Sequence, residues 1–124
     1  MRVVVYENSA DRAKLIQDLL STYRYKTFLN TDQPVPPEKI KEIKPTLIIV
    51  NVNNPSHIEL LEKLKNNKHV NQVPIILISD PGSREILDKF HYLPYVDYLV
   101  EPFKIKYFRH IVERWITFRS MYIN

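Results

Sequence analysis

Four polar residues close apolar runs of this chain, where side chains of their types could do chemistry. Glu7 follows the valine-rich run Arg2 to Tyr6, Asn51 follows Leu47 to Val50, Ser79 closes Pro74 to Ser79, and Glu101 follows Tyr95 to Val100. Read as parallel strands, these runs bring Glu7, Asn51, Asn53 and Glu101 together, because open α/β sheets gather ligand-binding groups along the carboxyl ends of their strands. Two carboxylates there could hold a divalent cation weakly. The preferred reading is that each acid pairs with a local Lys or Arg, or accepts from Tyr6. Asn51 cannot act as a carboxylate nucleophile, since an amide does not take up a phosphoryl group as a carboxylate does.

Other chemistries find no residues to carry them. His57, His69, His91 and His110 fall on different segments and suggest neither a zinc site nor a catalytic dyad. Gly82 is the only glycine, which excludes a Gly-rich phosphate loop of the Rossmann or Walker kind. With no cysteine there is no disulfide framework or thiolate metal site. No nucleophile and base stand at a telling spacing, so the chain is not expected to be an enzyme and no catalytic residue or cofactor is assigned.

The segments that must position these residues alternate in type. Arg2 to Tyr6 reads as a strand buried on both faces. Ser9 then offers an N-cap, Asp11 suits a first turn, and Leu15, Ile16, Leu19, Leu20 and Tyr23 form a helical stripe. Tyr25 to Leu29 is the second strand. The prolines of Asp32 to Pro37 exclude a helix until Glu38, so the second helix is short. Leu47 to Val50 is the third strand, and Ser56-His57-Ile58-Glu59 reads as a capping box opening a helix through Leu60, Leu61 and Leu64. Pro74 to Ser79 is the fourth strand. Asp80 to Ser83 turns into a helix near Ser83 to Tyr92, carrying Ile86, Leu87 and Phe90. Tyr95 to Val100 is the fifth strand, and the last helix presents Ile105, Phe108, Ile111, Val112 and Trp115 to the core. Five strands alternating with helices predict a parallel sheet covered on both sides.

Composition sets the frame. The 124 residues, 44% hydrophobic and 26% charged, suit a single domain spanning 1–124. No apolar run approaches the roughly 20 residues of a membrane span, and the start goes straight into a strand, so a cytoplasmic protein is expected. A net charge of +4 is too modest to imply nucleic acid by itself.

The ordered set Val3-Val4-Val5-Tyr6-Glu7, Leu47 through Pro55, Ile58-Glu59-Leu60-Leu61, Val73 through Ser79, and Asp97 through Phe103 resembles response-regulator receiver domains along nearly the whole chain. The resemblance implies a flavodoxin-like (CheY-like) three-layer α/β/α sandwich, with a five-stranded parallel sheet in the order 2-1-3-4-5. In receivers an acidic pair after the first strand and a phosphoacceptor Asp hold Mg²⁺, while a hydroxyl and a Lys bind the phosphoryl oxygens. Here Tyr6 replaces the first acid, Glu7 remains as the second and the one weak metal candidate, Asn51 replaces the acceptor, Ser79 keeps the hydroxyl, and Glu101 replaces the Lys. Asn53 keeps a backbone carbonyl that could face a metal. A carboxylate beside a phosphoryl group repels where an ammonium attracts, so these departures together imply a degenerate pocket and a pseudo-receiver that is not phosphorylated. Pro94-Tyr95 also replaces the family's usual Gly-Ala, implying a stiffer loop. Ser79 keeps the pocket hydroxyl, and the alternative is that it is only a strand-end hydroxyl capping a nearby backbone group. Tyr98 matches the family's switch aromatic, here expected to stay in one rotamer.

The last helix sets Lys104, Lys106, Arg109, Arg114 and Arg119 against Glu113 among several aromatics. Once its core face is satisfied, Tyr107, Phe118, Met121 and Tyr122 remain as apolar surface and an interaction candidate. The resemblance implies the same face, made by the fourth helix, the fifth strand and the last helix. The expected partner is a protein or an output domain, with a homodimer through this face as a further form. No base-reading motif accompanies the cations, which argues against nucleic acid.

Overall fold

The computed structural model describes residues 1–31, 35–68, 70–90 and 93–122, apart from the side chains of 83, 84 and 119–122. Eleven elements alternate along it: β1 Arg2–Tyr6, α1 Ala10–Ser21, β2 Lys26–Leu29, α2 Pro37–Ile43, β3 Leu47–Asn51, α3 Pro55–Asn66, β4 Ile75–Ser79, a 3-10 turn Pro81–Ser83, α4 Arg84–Phe90, β5 Val96–Val100 and α5 Ile105–Tyr122. All strand pairs are parallel and the order is β2-β1-β3-β4-β5. This is the flavodoxin-like, CheY-like sandwich. Asp32, Gln33 and Pro34 of the proline turn, His69, and His91 and Tyr92 of the expected fourth helix lie outside the described residues.

Strand periodicity divides the core into two layers. Val3, Val5, Ile49, Ile76, Ile78 and Leu99 pack with Ile16, Leu20, Phe108 and Val112 of α1 and α5. Val4, Tyr6, Ile48, Val50, Ile75 and Leu77 pack with Ile40, Leu61, Leu64, Leu87 and Phe90 from the opposite helices. Successive strand residues point to opposite faces. β3 and β4 are buried at every position, which explains why both read as unbroken apolar runs.

Several local details depart from the expectations. α3 is capped by Asn54, whose Oδ1 accepts from the Ser56 backbone N–H at 3.1 Å, and Pro55 takes the first turn. A proline at the first helical position needs no donor, so the helix starts before the Ser56 capping box. Leu15 and Ile105 are exposed rather than core. Tyr95, which stands at the second position of the family's Gly-Ala pair, adopts the αL conformation with φ 62°.

Candidate functional site

The chain passes from β1 out to β2 and then returns to β3 on the other side of β1, so the strand order reverses between β1 and β3. A crevice opens outside the carboxyl ends of the strands at such a reversal. Tyr6 pairs in register with Val50, which sets Glu7 beside Asn51 one residue further on. Both are buried. The Asn51 amide Nδ2 donates to Glu7 Oε2 at 2.5 Å, and Glu7 Oε1 accepts from the Ser9 backbone N–H at 3.1 Å.

From this pair a chain of amides ties the loops together. Asn51 Oδ1 accepts from the Asn53 N–H at 2.9 Å, and Asn53 Oδ1 accepts from the Asp80 N–H at 2.9 Å, linking the ends of β3 and β4. His57 reaches back from α3 with its Nδ1 2.6 Å from the Asn51 carbonyl oxygen. Since a carbonyl can only accept, that nitrogen carries the proton. The result is an open depression of about 550 Å³ lined by Glu7, Asn8, Ser9, Arg12, Asn51, Asn53, Asn54, His57 and Asp80.

The remaining site residues are distributed differently from the expectation. Glu101 is not a pocket-lining acid: its Oε1 lies 2.9 Å from the Arg12 guanidinium of α1. The preferred pairing of an acid with a local cation therefore holds at Glu101. Tyr6 is a correction. In phase with Val4, it points into the α2 and α3 layer, donates its hydroxyl to the Val35 carbonyl at 2.7 Å and meets the His57 ring edge-on. Its hydroxyl therefore donates to neither Glu7 nor Glu101. Burial first, and the charge of Glu38 second, push its phenol well above the ordinary range. Ser79 is fully buried, and its Oγ has no hydrogen-bond partner among the described residues, so it caps no backbone group.

Arg12, His57 and Asp80 are the residues that sequence reading missed. One signal for Arg12 existed: Glu101 needed a cation, and Arg12 stands three residues after the Ser9 N-cap, at the end of α1 that faces the strand termini. Nothing in the order of residues marks His57, which is simply the third residue of a helix.

The donor set fits Mg²⁺ poorly. Such an ion is bound through carboxylates and retained waters in near-octahedral geometry. Glu7 has both oxygens engaged within the protein, the acceptor position offers an amide, and no group of three or more His, Cys, Asp or Glu capable of holding a metal occurs among the described residues.

The second candidate surface lies at β5 and α5. Tyr98 and Tyr107 are 50% and 51% exposed, joined by Val100 and Ile105. Phe118 is a correction: it is half-buried, with its ring 5.6 Å from Tyr95 and 5.3 Å from Trp115, so it supports the α5 packing instead of standing free. The Tyr122 side chain lies outside the described residues. Arg114 is paired with Asp97 of β5, leaving Lys104, Lys106 and Arg109 as exposed cations near Tyr107.

Neither any protein-family model nor any curated protein matches the sequence. Solved structures do. The chain is similar to NtrX from Brucella abortus, solved with ADP, at 21% identity and a TM-score of 0.80 over 97% of this chain. It spans 27% of the NtrX chain. It is similar to the chemotaxis protein CheY4 from Vibrio cholerae at 17% identity and a TM-score of 0.71, covering 91% of this chain and 96% of that one. The receiver domain of the sensor histidine kinase PA1611 from Pseudomonas aeruginosa, with magnesium in its active-site cleft, matches at 21% identity and a TM-score of 0.71, covering 94% of this chain and 97% of that one. At such identities the likeness establishes the receiver fold. Among the described residues, no helix is long and apolar enough to cross a membrane.

Proposed function

We propose that this chain is a receiver-like signalling domain that works without aspartyl phosphorylation, by presenting the β5 and α5 face to a protein partner or an output domain. The observation that carries this reading is the 2.5 Å hydrogen bond from Asn51 to Glu7. Where a receiver needs two oxygen ligands and a nucleophile, this chain has an amide donor bonded to the remaining acid. Glu101 adds to it, since a carboxylate already paired with Arg12 offers nothing to a phosphoryl oxygen.

A metal or phosphoryl enzyme built on Glu7 and Glu101 would need both acids in one donor set. Glu101 instead pairs with α1, and Glu7 is occupied by Asn51 and Ser9. Nucleic-acid binding through α5 would rest on few exposed cations and no base-reading element. The partner reading draws its support from Tyr98, Val100, Ile105 and Tyr107, exposed apolar side chains on β5 and at the start of α5.

Incubation with the phosphodonor phosphoramidate and Mg²⁺, followed by intact mass measurement, tests the reading. No phosphoryl increment is expected. A stable increment mapping to residue 51 or a neighbour ends it.

A further inference from the structure

The face at β5 and the start of α5 is apolar at its centre and basic at its border. β5 is the edge strand of the sheet, and Tyr98 and Val100 leave it on the same side. The Asp97–Arg114 pair marks the flank of α5 that adjoins β5, and Tyr107 stands about two turns before Arg114 on that flank. Tyr98, Val100 and Tyr107 therefore border the sheet edge together, and all are exposed. Elsewhere, the large apolar side chains left exposed among the described residues are Met1, Leu15 and Ile105.

The charges around these side chains do not balance. The Tyr107 backbone N–H donates to the Lys104 carbonyl at 3.0 Å, which sets Lys104 a turn away, and Lys106 Nζ sits 5.4 Å from the centre of the Tyr107 ring. Both lysines are exposed, and neither has a carboxylate partner among the described residues. The neighbouring acids are engaged within the chain, Asp97 with Arg114 and Glu101 with Arg12. On α4, Asp88 is not free, and Glu85 stands a turn before Lys89, which turns toward Glu62 of α3. Glu113 accepts from the Tyr23 hydroxyl, on the flank of α5 toward α1. Among the described residues, the face thus offers two cations and no uncommitted anion.

We propose that this face receives an acidic segment of another protein, whose carboxylates meet Lys104 and Lys106 while its apolar side chains pack on Tyr98, Val100 and Tyr107. The inference rests on the reading of this face as the partner surface, and names the chemistry of the partner. Charge decides against a second copy of this chain. A twofold axis through the face brings the lysines of one copy toward those of the other, and the face holds no free carboxylate to answer them. The apolar centre decides against a bare polyanion, which would leave Tyr98 and Val100 in water. An acidic segment with apolar anchors satisfies both parts of the surface: carboxylates speed the encounter and fix register, and the aromatic contacts supply most of the affinity.

The test is an NMR titration of the intact chain with two synthetic amphipathic peptides that share their leucines, one carrying glutamate on its polar face and the other lysine. The glutamate peptide is expected to bind with shifts centred on β5 and the first turns of α5, several-fold more weakly at high salt. Binding of the lysine peptide should be at least several-fold weaker. Lys104→Glu combined with Lys106→Glu should reverse the preference, while Tyr107→Ala should weaken the glutamate peptide with no gain for the other. Absence of shifts on this face, equal binding of the two peptides, or tighter binding of an oligonucleotide or of phosphatidylserine vesicles overturns the assignment. So does a dimer through this face in sedimentation at the same protein concentration. No readout here involves a phosphodonor, so this inference fails separately from the reading of the silent pocket, which the mass measurement decides.

Discussion

Arg12 and Glu101 exchange the polarity that the resemblance implies at this end of the sheet: the cation comes from α1, the anion from the residue after β5, and they meet at 2.9 Å. The positive charge is thereby moved from the strand end to a helix. Arg12 is 39% and Glu101 20% exposed at the side chain, so solvent screens the pair. A double-mutant cycle with Arg12→Ala and Glu101→Ala should return a coupling of about 0.2–1 kcal/mol that shrinks in high salt. A coupling well above that range would show that the pair also organises the pocket.

Restoring the acceptor should cost stability. Asn51→Asp replaces the donor to Glu7 with a second carboxyl, so a hydrogen bond is lost and two acids share a buried site. A loss of about 1–3 kcal/mol at neutral pH is expected from denaturant titration. Repulsion raises the folded-state affinity of the pair for a proton, so the loss should be small in acid and grow as pH rises through the carboxylate range. The single mutant should not be phosphorylated. Tyr6→Asp would not help to rebuild a pocket, because that position faces the α2 and α3 layer.

Alkaline pH should weaken the fold through Tyr6. Its phenol holds its proton more tightly when folded than when unfolded, so its contribution is complete below about pH 10 and is lost as pH rises beyond it. Lys65, shifted downward by burial, acts with the opposite sign in the same window. Comparison with Tyr6→Phe isolates the tyrosine: the variant should lose about 1 kcal/mol at neutral pH and show a flatter alkaline decline. An unchanged pH dependence would refute the assignment.

Two positive φ positions should respond oppositely to glycine. Lys44 ends α2 at φ 53° with its side chain in solvent, so Lys44→Gly should stabilise by about 0.5–1 kcal/mol, by relief of a strained conformation less the added unfolded-state entropy. Tyr95→Gly relieves the same strain but removes the ring packed on Trp115 and Phe118. Its net effect should be destabilising by about 1–2 kcal/mol. Thermal or denaturant unfolding of both variants decides the matter.

On the proposed partner face, Tyr107→Ala and Tyr98→Ala should leave fold stability within about 0.5 kcal/mol. Each should weaken self-association or partner capture by about 2 kcal/mol if it anchors the interface. Phe118→Ala belongs to a different class. It should destabilise the α5 packing, and a binding loss there would not identify a contact residue.

Pattern alone determined the layers. β3 and β4 are so uniformly apolar that only a strand buried on both faces accommodates them, and the helices between strands force the parallel connections. The same runs placed Glu7 and Asn51 together, because strand ends in a parallel sheet share one edge. Tertiary structure decided where the other side chains went. Tyr6 is adjacent to Glu7 in sequence, yet strand alternation carries it to the far side of the sheet and onto Val35. Arg12 reaches Glu101 across 89 positions because α1 packs beside α5 over the same sheet face; its place in the first turn of α1 marks which end of the sheet it faces but not which acid it meets. Phe118 reads as surface by helical spacing, but Tyr95, in a conformation that sequence reserves for glycine, brings its ring against it. Short-range periodicity sets which face a residue takes. What it meets there depends on elements distant in the chain, and that depends on packing.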